Sequence, residues 1–449
     1  MEETFEWARR LVGGTWRRVR APLYRNAFLI MLSSVIGQGL GFFFWLVVAR
    51  FYERADVGYA IALVQTLSFL ATLASLGLGV GLIRYLPEEE DKPPLVNTAA
   101  TITGGGALLL AAAFLGTVGL LVPNLSFVLS DPTGRYLYPP VILVTTLAIA
   151  LPYVYDQTSF AMRRADVLTW RTLIVAVAKL PLVVAFALVP LTAGRIGVFL
   201  SFALAFVAGT AAEAFVLLPR ILPGFRPRLS LAVARIRPMV RFALGNYSAN
   251  VVGGAGVLLL PILILNLLGP TSAEQVAYYY IASIVAGLLN IIPGAIFTSF
   301  YAEASQRDAR RHVDERRAIA LSIALLLPGV AVLWLLSKEM LTWFGDPAYA
   351  AGAVGALRIL VFGSIPAFLN NILGTRIRIR KQSAPLLVGA LIATSVTLGL
   401  GVVLLRSNGI NGLAIATVLG GVAVLPYYYA VARRSFREEA DGPAAERPT

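Results

Sequence analysis

The chain of 449 residues has no cysteine, a single histidine (His312) and only 24 acidic residues. Without cysteine there can be no disulfide, thiolate nucleophile or cysteine-based metal centre. His312 lies in a run of charged residues and reads as solvated rather than catalytic. No Gly-Lys dipeptide occurs, which excludes a Walker A loop and with it an ATPase engine. Charged residues make up 14% of the chain and hydrophobic ones 58%, with a mean hydropathy of +0.76. Soluble domains sit near ~25% charged and ~45–50% apolar. A soluble enzyme, a disordered chain and a fibrous repeat are all excluded, and a polytopic membrane protein remains. Neither a cofactor nor a metal is expected. The net charge of +14 reads as loop charge that sets topology and meets anionic inner-leaflet lipid, not as a nucleic-acid surface.

A bilayer-spanning helix needs roughly 20 mostly apolar residues. Twelve stretches qualify: 27–49, 59–82, 97–121, 138–160, 171–190, 196–219, 242–267, 276–300, 318–337, 353–375, 386–405 and 411–432. Alternate connections, counted from the N-terminus, hold 30 of the 38 Lys and Arg residues, and the opposite set holds 6. Lys179 and Arg358 fall inside spans, and Arg171, at the first position of its stretch, is counted with the connection before it. Because cytoplasmic loops carry the excess of basic residues, both termini are expected in the cytoplasm and the protein in the plasma membrane. Before the first span, Phe5, Ala8, Val12, Trp16 and Val19 recur at helical spacing among arginines, which predicts a basic amphipathic segment over 1–25.

The chain also reads as two halves. Leu151-Pro152 with Asp156-Gln157 parallels Ile365-Pro366 with Asn370-Asn371 at an offset of 214 residues, and Ile196-Gly197 parallels Asn411-Gly412. Each half has an even number of spans, so the repeat is parallel, about an axis along the membrane normal. The expected fold is an all-α polytopic membrane protein, with twelve transmembrane helices in two six-helix lobes around a central cavity. Its parts are an N-terminal lobe over 26–219, a cytoplasmic linker over 220–240, a C-terminal lobe over 241–434 and a disordered tail over 435–449.

Several segments carry a resemblance. Val48 to Tyr59, reading VARFYERADVGY, is similar to the first outer loop of polysaccharide flippases. Ser75 to Gly79 with Ile83-Arg84-Tyr85 resembles the end of their second span, and Asn408 to Thr417 resembles the segment before their last. Tyr52 departs from the family, which usually has glycine there. The resemblance is to the Wzx-like branch of the multidrug/oligosaccharidyl-lipid/polysaccharide exporter superfamily. It implies a non-enzymatic flippase that carries a polyprenyl-pyrophosphate-linked oligosaccharide to the outer leaflet, with glycan-assembly enzymes as candidate partners. The rivals are a cation-coupled multidrug exporter, a membrane glycosyltransferase or polymerase, and a lipid II flippase. Against them stand, in turn, a first span without a carboxylate, outer loops too short for an acceptor-binding domain, and twelve spans where lipid II flippases usually have fourteen.

Ionisable residues inside a membrane default to functional candidates because burying charge there is costly. Lys179 and Arg358 lie within spans, while Arg25, Arg84 and Arg241 stand at inner span ends; these five are the candidate pyrophosphate site. Asp156 and Glu213 are candidates for ion coupling. The competing reading pairs Lys179 with Asp156 or Glu213 as a structural ion pair. Asn26, Ser34 and Gln38 on the first span, and Asn246 and Asn250 on the seventh, recur at helical spacing and are expected to line a polar cavity, with Ser33 and Gly37 on the same face as the first set. The glycines of Gly77 to Gly81 read as close helix packing, as do Gly37 and Gly41. Glu53 and Asp56 read as turn and cap residues.

Overall fold

The computed structural model describes residues 22–132, 134–189, 192, 194–304, 311–379 and 384–440. The predicted amphipathic segment lies outside these residues up to Ala21. All twelve predicted stretches fall on helices, and the described residues form no strand. That is what lipid demands, since a helix satisfies its own backbone donors and acceptors where no water can.

The helices, labelled by span, are α1 (Pro22–Phe51), α2 (Arg54–Ala74, continued by Leu78–Tyr85), α3 (Lys92–Leu121) and α4 (Gly134–Ala150, continued by Pro152–Ala161). Next come α5 (Asp166–Leu188), α6 (Arg195–Ala212, continued to Ile221), α7 (Val233–Leu258 and Leu260–Leu267) and α8 (Ser272–Ala304). They are followed by α9 (Arg311–Leu335), α10 (Pro347–Ile379), and α11 and α12, which together form Ala384–Ala440. The last two follow one another over 57 residues with no intervening loop. At 1.5 Å per residue that is about 85 Å, against an apolar core of about 30 Å. Gly409, at φ 58° and ψ −148°, breaks it. These angles are open to glycine and strained for residues with a side chain. The last helix runs on to Ala440, into the stretch read as a tail.

Proline and left-handed residues set the other breaks. Leu76 and Gly77 both have positive φ, at 47° and 69°, and interrupt α2. Pro152 opens the second part of α4, where its missing N–H costs nothing.

Contacts divide the chain into two compact units. One runs to Leu244 and takes in the end of α8; the other holds Gly245–Phe297 and the chain from His312. In the first unit, Leu82, Val96, Tyr155, Leu218, Phe225 and Met239 share a buried cluster. The stretch read as a linker is therefore packed onto this unit through Phe225, Ile236 and Met239. The glycines of α2 serve the close packing expected of them. A side chain at Gly79 would overlap the Tyr153 carbonyl, and a Cβ at Gly81 would come within 2.8 Å of Met239 Cβ. A Cβ at Gly37 would meet Thr172 Cγ2 at 3.4 Å, whereas one at Gly41 would find nothing within 4 Å.

The opposite end of the first unit explains the VARFYERADVGY segment. Glu53 makes no capping hydrogen bond. Asp56 instead pairs with Arg195 at the start of α6, 3.8 Å away. The Arg195 guanidinium lies 4.2 Å from the centre of the Phe127 ring and 5.3 Å from that of Tyr59. Tyr52, where the family usually has glycine, is buried, and its hydroxyl donates to the Val183 carbonyl on α5 at 2.8 Å. Tyr52→Phe is expected to cost about 1 kcal/mol, the net worth of one buried hydrogen bond. Thermal denaturation in detergent checks this, and an unchanged midpoint would show that the bond contributes nothing.

Candidate functional site

Charge inside a span is costly unless it finds a partner within the protein, and in the first unit three such residues meet at one place. Asp156 on α4, Arg171 on α5 and Glu213 on α6 converge. The Arg171 guanidinium donates twice to Asp156, from Nε to Oδ1 at 3.0 Å and from its terminal nitrogen to Oδ2 at 2.8 Å. The same Nε is 3.4 Å from Glu213 Oε2. Glu213 is completely buried, and neither of its oxygens accepts a hydrogen bond among the described residues. Two carboxylates face one guanidinium, so the cluster holds an uncompensated negative charge unless one carboxyl carries a proton. Glu213 also begins a π-helical turn, Glu213–Leu217, a wide turn that often marks functional sites.

Arg171 was not singled out by the sequence reading. It stands at the predicted edge of span five, where arginine reads as an inner-loop charge. The signal that could have found it was the pair of apolar-span carboxylates, which needs a buried cation. The predicted partner for them, Lys179, is elsewhere. It lies eight residues further along α5, about 12 Å by helical rise. Its ammonium faces rings instead, 4.3 Å from the centre of Phe202, 4.7 Å from Phe206 and 5.5 Å from Phe44. The aromatic faces supply a cation–π environment. Lys179 is in no ion pair among the described residues, so the structural ion-pair reading gives way to one built on Arg171.

Two of the remaining candidate cations are exposed. Arg84 is exposed at the end of α2, its guanidinium 4.5 Å from the centre of the Phe242 ring and 5.7 Å from that of Tyr85. Arg358 on α10 is exposed; its Nε donates to Ser337 Oγ at 2.9 Å, and the group lies 5.2 Å from the Trp334 ring centre. The side chains of Arg25 and Arg241 lie outside the described set, as do those of Asn26 and Asn246. Ser34, Gln38 and Asn250 are exposed. The polar face predicted for α1 is split. Ser33 is buried, donates to the Leu29 carbonyl at 2.7 Å and meets Thr169 Oγ1 of α5 at 2.8 Å, while Ser34 and Gln38 are exposed.

The second unit has a cavity of about 450 Å3. Asn290 of α8, Asn370 and Asn371 of α10, and Tyr428 of α12 are among its lining residues, and none of those lining residues is charged. Asn370 donates from Nδ2 to the Gly421 carbonyl at 2.7 Å, which fixes it against α12. By the internal repeat, Asn370 and Asn371 correspond to Asp156 and Gln157. The position that holds a charged cluster in one unit thus holds neutral amides in the other.

A family model described as polysaccharide biosynthesis protein matches residues 23–302. No curated protein sequence matches the chain. Among solved structures, the chain is similar to the lipid II flippase MurJ in an inward closed conformation, with a TM-score of 0.70 at 12% identity over 90% of this chain and 87% of that one. It is similar also to an inward-facing multidrug resistance transporter of the MATE family, with a TM-score of 0.69 at 13% identity over 92% of this chain and all of the other. An outward-facing transporter of that family gives 0.62 at 14% identity, over 93% and 95%. These likenesses fix the fold as that of polytopic membrane transporters.

Proposed function

The chain belongs to the polysaccharide biosynthesis protein family, and from that premise we propose that it is a flippase moving a polyprenyl-pyrophosphate-linked oligosaccharide from the cytoplasmic to the outer leaflet by alternating access. The observation that carries this reading is the family match itself, over 23–302, on a fold similar to that of a lipid II flippase. In this reading the protein sits in the plasma membrane with both termini in the cytoplasm, as its Lys and Arg distribution argues. Arg84, Lys179 and Arg358, together with Arg25 and Arg241, offer cations to the pyrophosphate, while the polyprenyl tail stays in lipid. Asn26, Ser34, Gln38, Asn246 and Asn250 are the candidate polar wall. The cluster of Asp156, Arg171 and Glu213 is the candidate for ion coupling, because two carboxylates around one guanidinium can take up and release a proton.

A multidrug exporter is the alternative on the same fold. The absence of a carboxylate from α1 disfavours it, since a cationic drug and its coupling ion call for acidic groups. Purified protein in proteoliposomes is expected to flip a fluorescent polyprenyl-pyrophosphate oligosaccharide. Arg84→Ala and Arg358→Ala are each expected to weaken binding of that lipid about ten- to a hundredfold, as the loss of a charge-assisted hydrogen bond predicts. Lysine at either position should restore part of it, keeping the charge but not the bidentate fork. Transport of a cationic dye without that of the lipid would replace the flippase with the exporter. Parental flipping by both alanine variants would place the phosphate path elsewhere.

A further inference from the structure

Between Glu213 and Glu274 the chain has no acidic residue, yet it has six arginines, at 220, 226, 228, 235, 237 and 241. Part of this stretch is not a free loop. From Phe225 to Ala232 it runs without helix along the start of α3, pinned by side chains of that helix. Asn97 Nδ2 donates to the Arg226 carbonyl at 3.0 Å, and Asn97 Oδ1 accepts from the Arg228 N–H at 3.4 Å. Thr101 Oγ1 accepts from the Ser230 N–H at 3.1 Å, and Thr98 Oγ1 accepts from the Ala232 N–H at 3.3 Å. Thr98 Oγ1 also lies 3.0 Å from Ser230 Oγ. Asn97 and Thr98 are buried. Phe225 is turned into the core, 2% exposed.

A segment held so firmly would be expected to hide its leucines. It does the reverse: Leu229 is 89% exposed and Leu231 71%. Two residues apart in extended chain, they point to the same side. Arg226 and Arg228, at alternate positions of the same strap, and Arg220 and Arg237, before and after it in sequence, are exposed as well. Paired exposed leucines in a stretch whose exposed arginines form no ion pair among the described residues match a lipid interface, where leucine enters the acyl boundary and guanidinium meets phosphate. Water would leave the leucines exposed to no purpose, and an apolar protein surface would leave the arginines unpaired.

We propose that this strap, residues 225–232, is a membrane-docking element that inserts Leu229 and Leu231 into the inner leaflet and binds anionic phospholipid headgroups through Arg226 and Arg228. The proposal rests on the inward topology given above. Its fixed backbone means that docking needs little ordering, because α3 has already set the strap's conformation.

The cysteine-free chain allows a direct test. Leu229→Cys, Leu231→Cys and, as a control in another connection on the same side, Glu90→Cys are labelled with an environment-sensitive fluorophore in nanodiscs. Spin-labelled lipids are expected to quench the first two and not the control, more strongly with phosphatidylglycerol than with phosphatidylcholine alone. Adding Arg226→Ala with Arg228→Ala leaves the pinning backbone bonds in place. It should lower the docked fraction's equilibrium about fivefold per arginine, the equivalent of about 1 kcal/mol for each basic residue at an anionic surface. Unquenched fluorophore at 229 and 231 would overturn the proposal, as would quenching indifferent to lipid charge and to the arginines. A separate arm tests the topology: in sealed proteoliposomes of known orientation, an impermeant thiol reagent should reach Glu90→Cys only from the inside. Labelling from the outside would overturn the topology and with it the inner leaflet as the one bound, while quenching would still separately report whether the strap meets lipid.

Discussion

Arg171→Ala is expected to destabilise the protein by about 3–5 kcal/mol, the cost of leaving buried charge without its counter-ion. The guanidinium makes two hydrogen bonds to Asp156 and an ion pair with Glu213, and that second carboxylate is completely buried. Removing it strands both acids in the apolar interior of the first unit. The triple variant Arg171→Ala, Asp156→Asn, Glu213→Gln removes the charge as well and should recover much of the loss, because neutral groups of similar shape tolerate burial far better. Thermal denaturation of the three proteins in one detergent gives the comparison. Equal midpoints for parent and Arg171→Ala would mean that the cluster does not exist as described. The functional half is separate. If the cluster couples ions, the triple variant and Glu213→Gln alone should fold yet lose pH-driven flipping, while parental rate and pH dependence would remove both carboxyl groups as coupling sites.

Gly79→Val should also fold poorly, for steric reasons. A Cβ there overlaps the Tyr153 carbonyl, and it would stand 2.7 Å from Gln157 Cγ. Backbone on α4 cannot step aside as a side chain can, so α2 and α4 must separate. Overpacking of this kind costs about 1–3 kcal/mol and sometimes more. Gly105 on α3 is the control, since nothing lies within 4 Å of a Cβ added to it. Gly105→Ala is expected to be neutral or slightly stabilising, given the helix preference of alanine. Loss of yield and a lower melting midpoint for Gly79→Val alone is the expected result. Two variants that behaved alike would mean that α2 and α4 do not pack this closely.

The twelve helices were legible because their signal is local: about twenty apolar residues in a row can do little else in a membrane than form a helix. Asp156 and Glu213 were legible for a related reason, since a carboxylate in such a run stands out against its neighbours. Their partner was not. Arg171 sits fifteen residues from Asp156 and forty-two from Glu213, at a span edge where arginine is commonplace. Only the crossing of α4, α5 and α6 brings it to both. Lys179, deeper in the same helix and more conspicuous in the sequence, turns its ammonium to phenylalanines instead.

The same limit applies to faces and straps. Helical spacing places Ser33 and Ser34 on one polar side of α1, but which of the two is buried against a neighbouring helix depends on where α5 lies. Asp56 read as a turn residue, because nothing near it in sequence announces Arg195, 139 positions later. The arginine-rich stretch after Glu213 read as a linker, because the bonds that pin it come from Asn97, Thr98 and Thr101, more than a hundred residues earlier. Composition and apolar run length determined that this is a twelve-span membrane protein with too few buried charges to waste. Which charges meet was decided by helix packing alone, since contact between spans depends on rotation and crossing geometry, to which run length and spacing are blind.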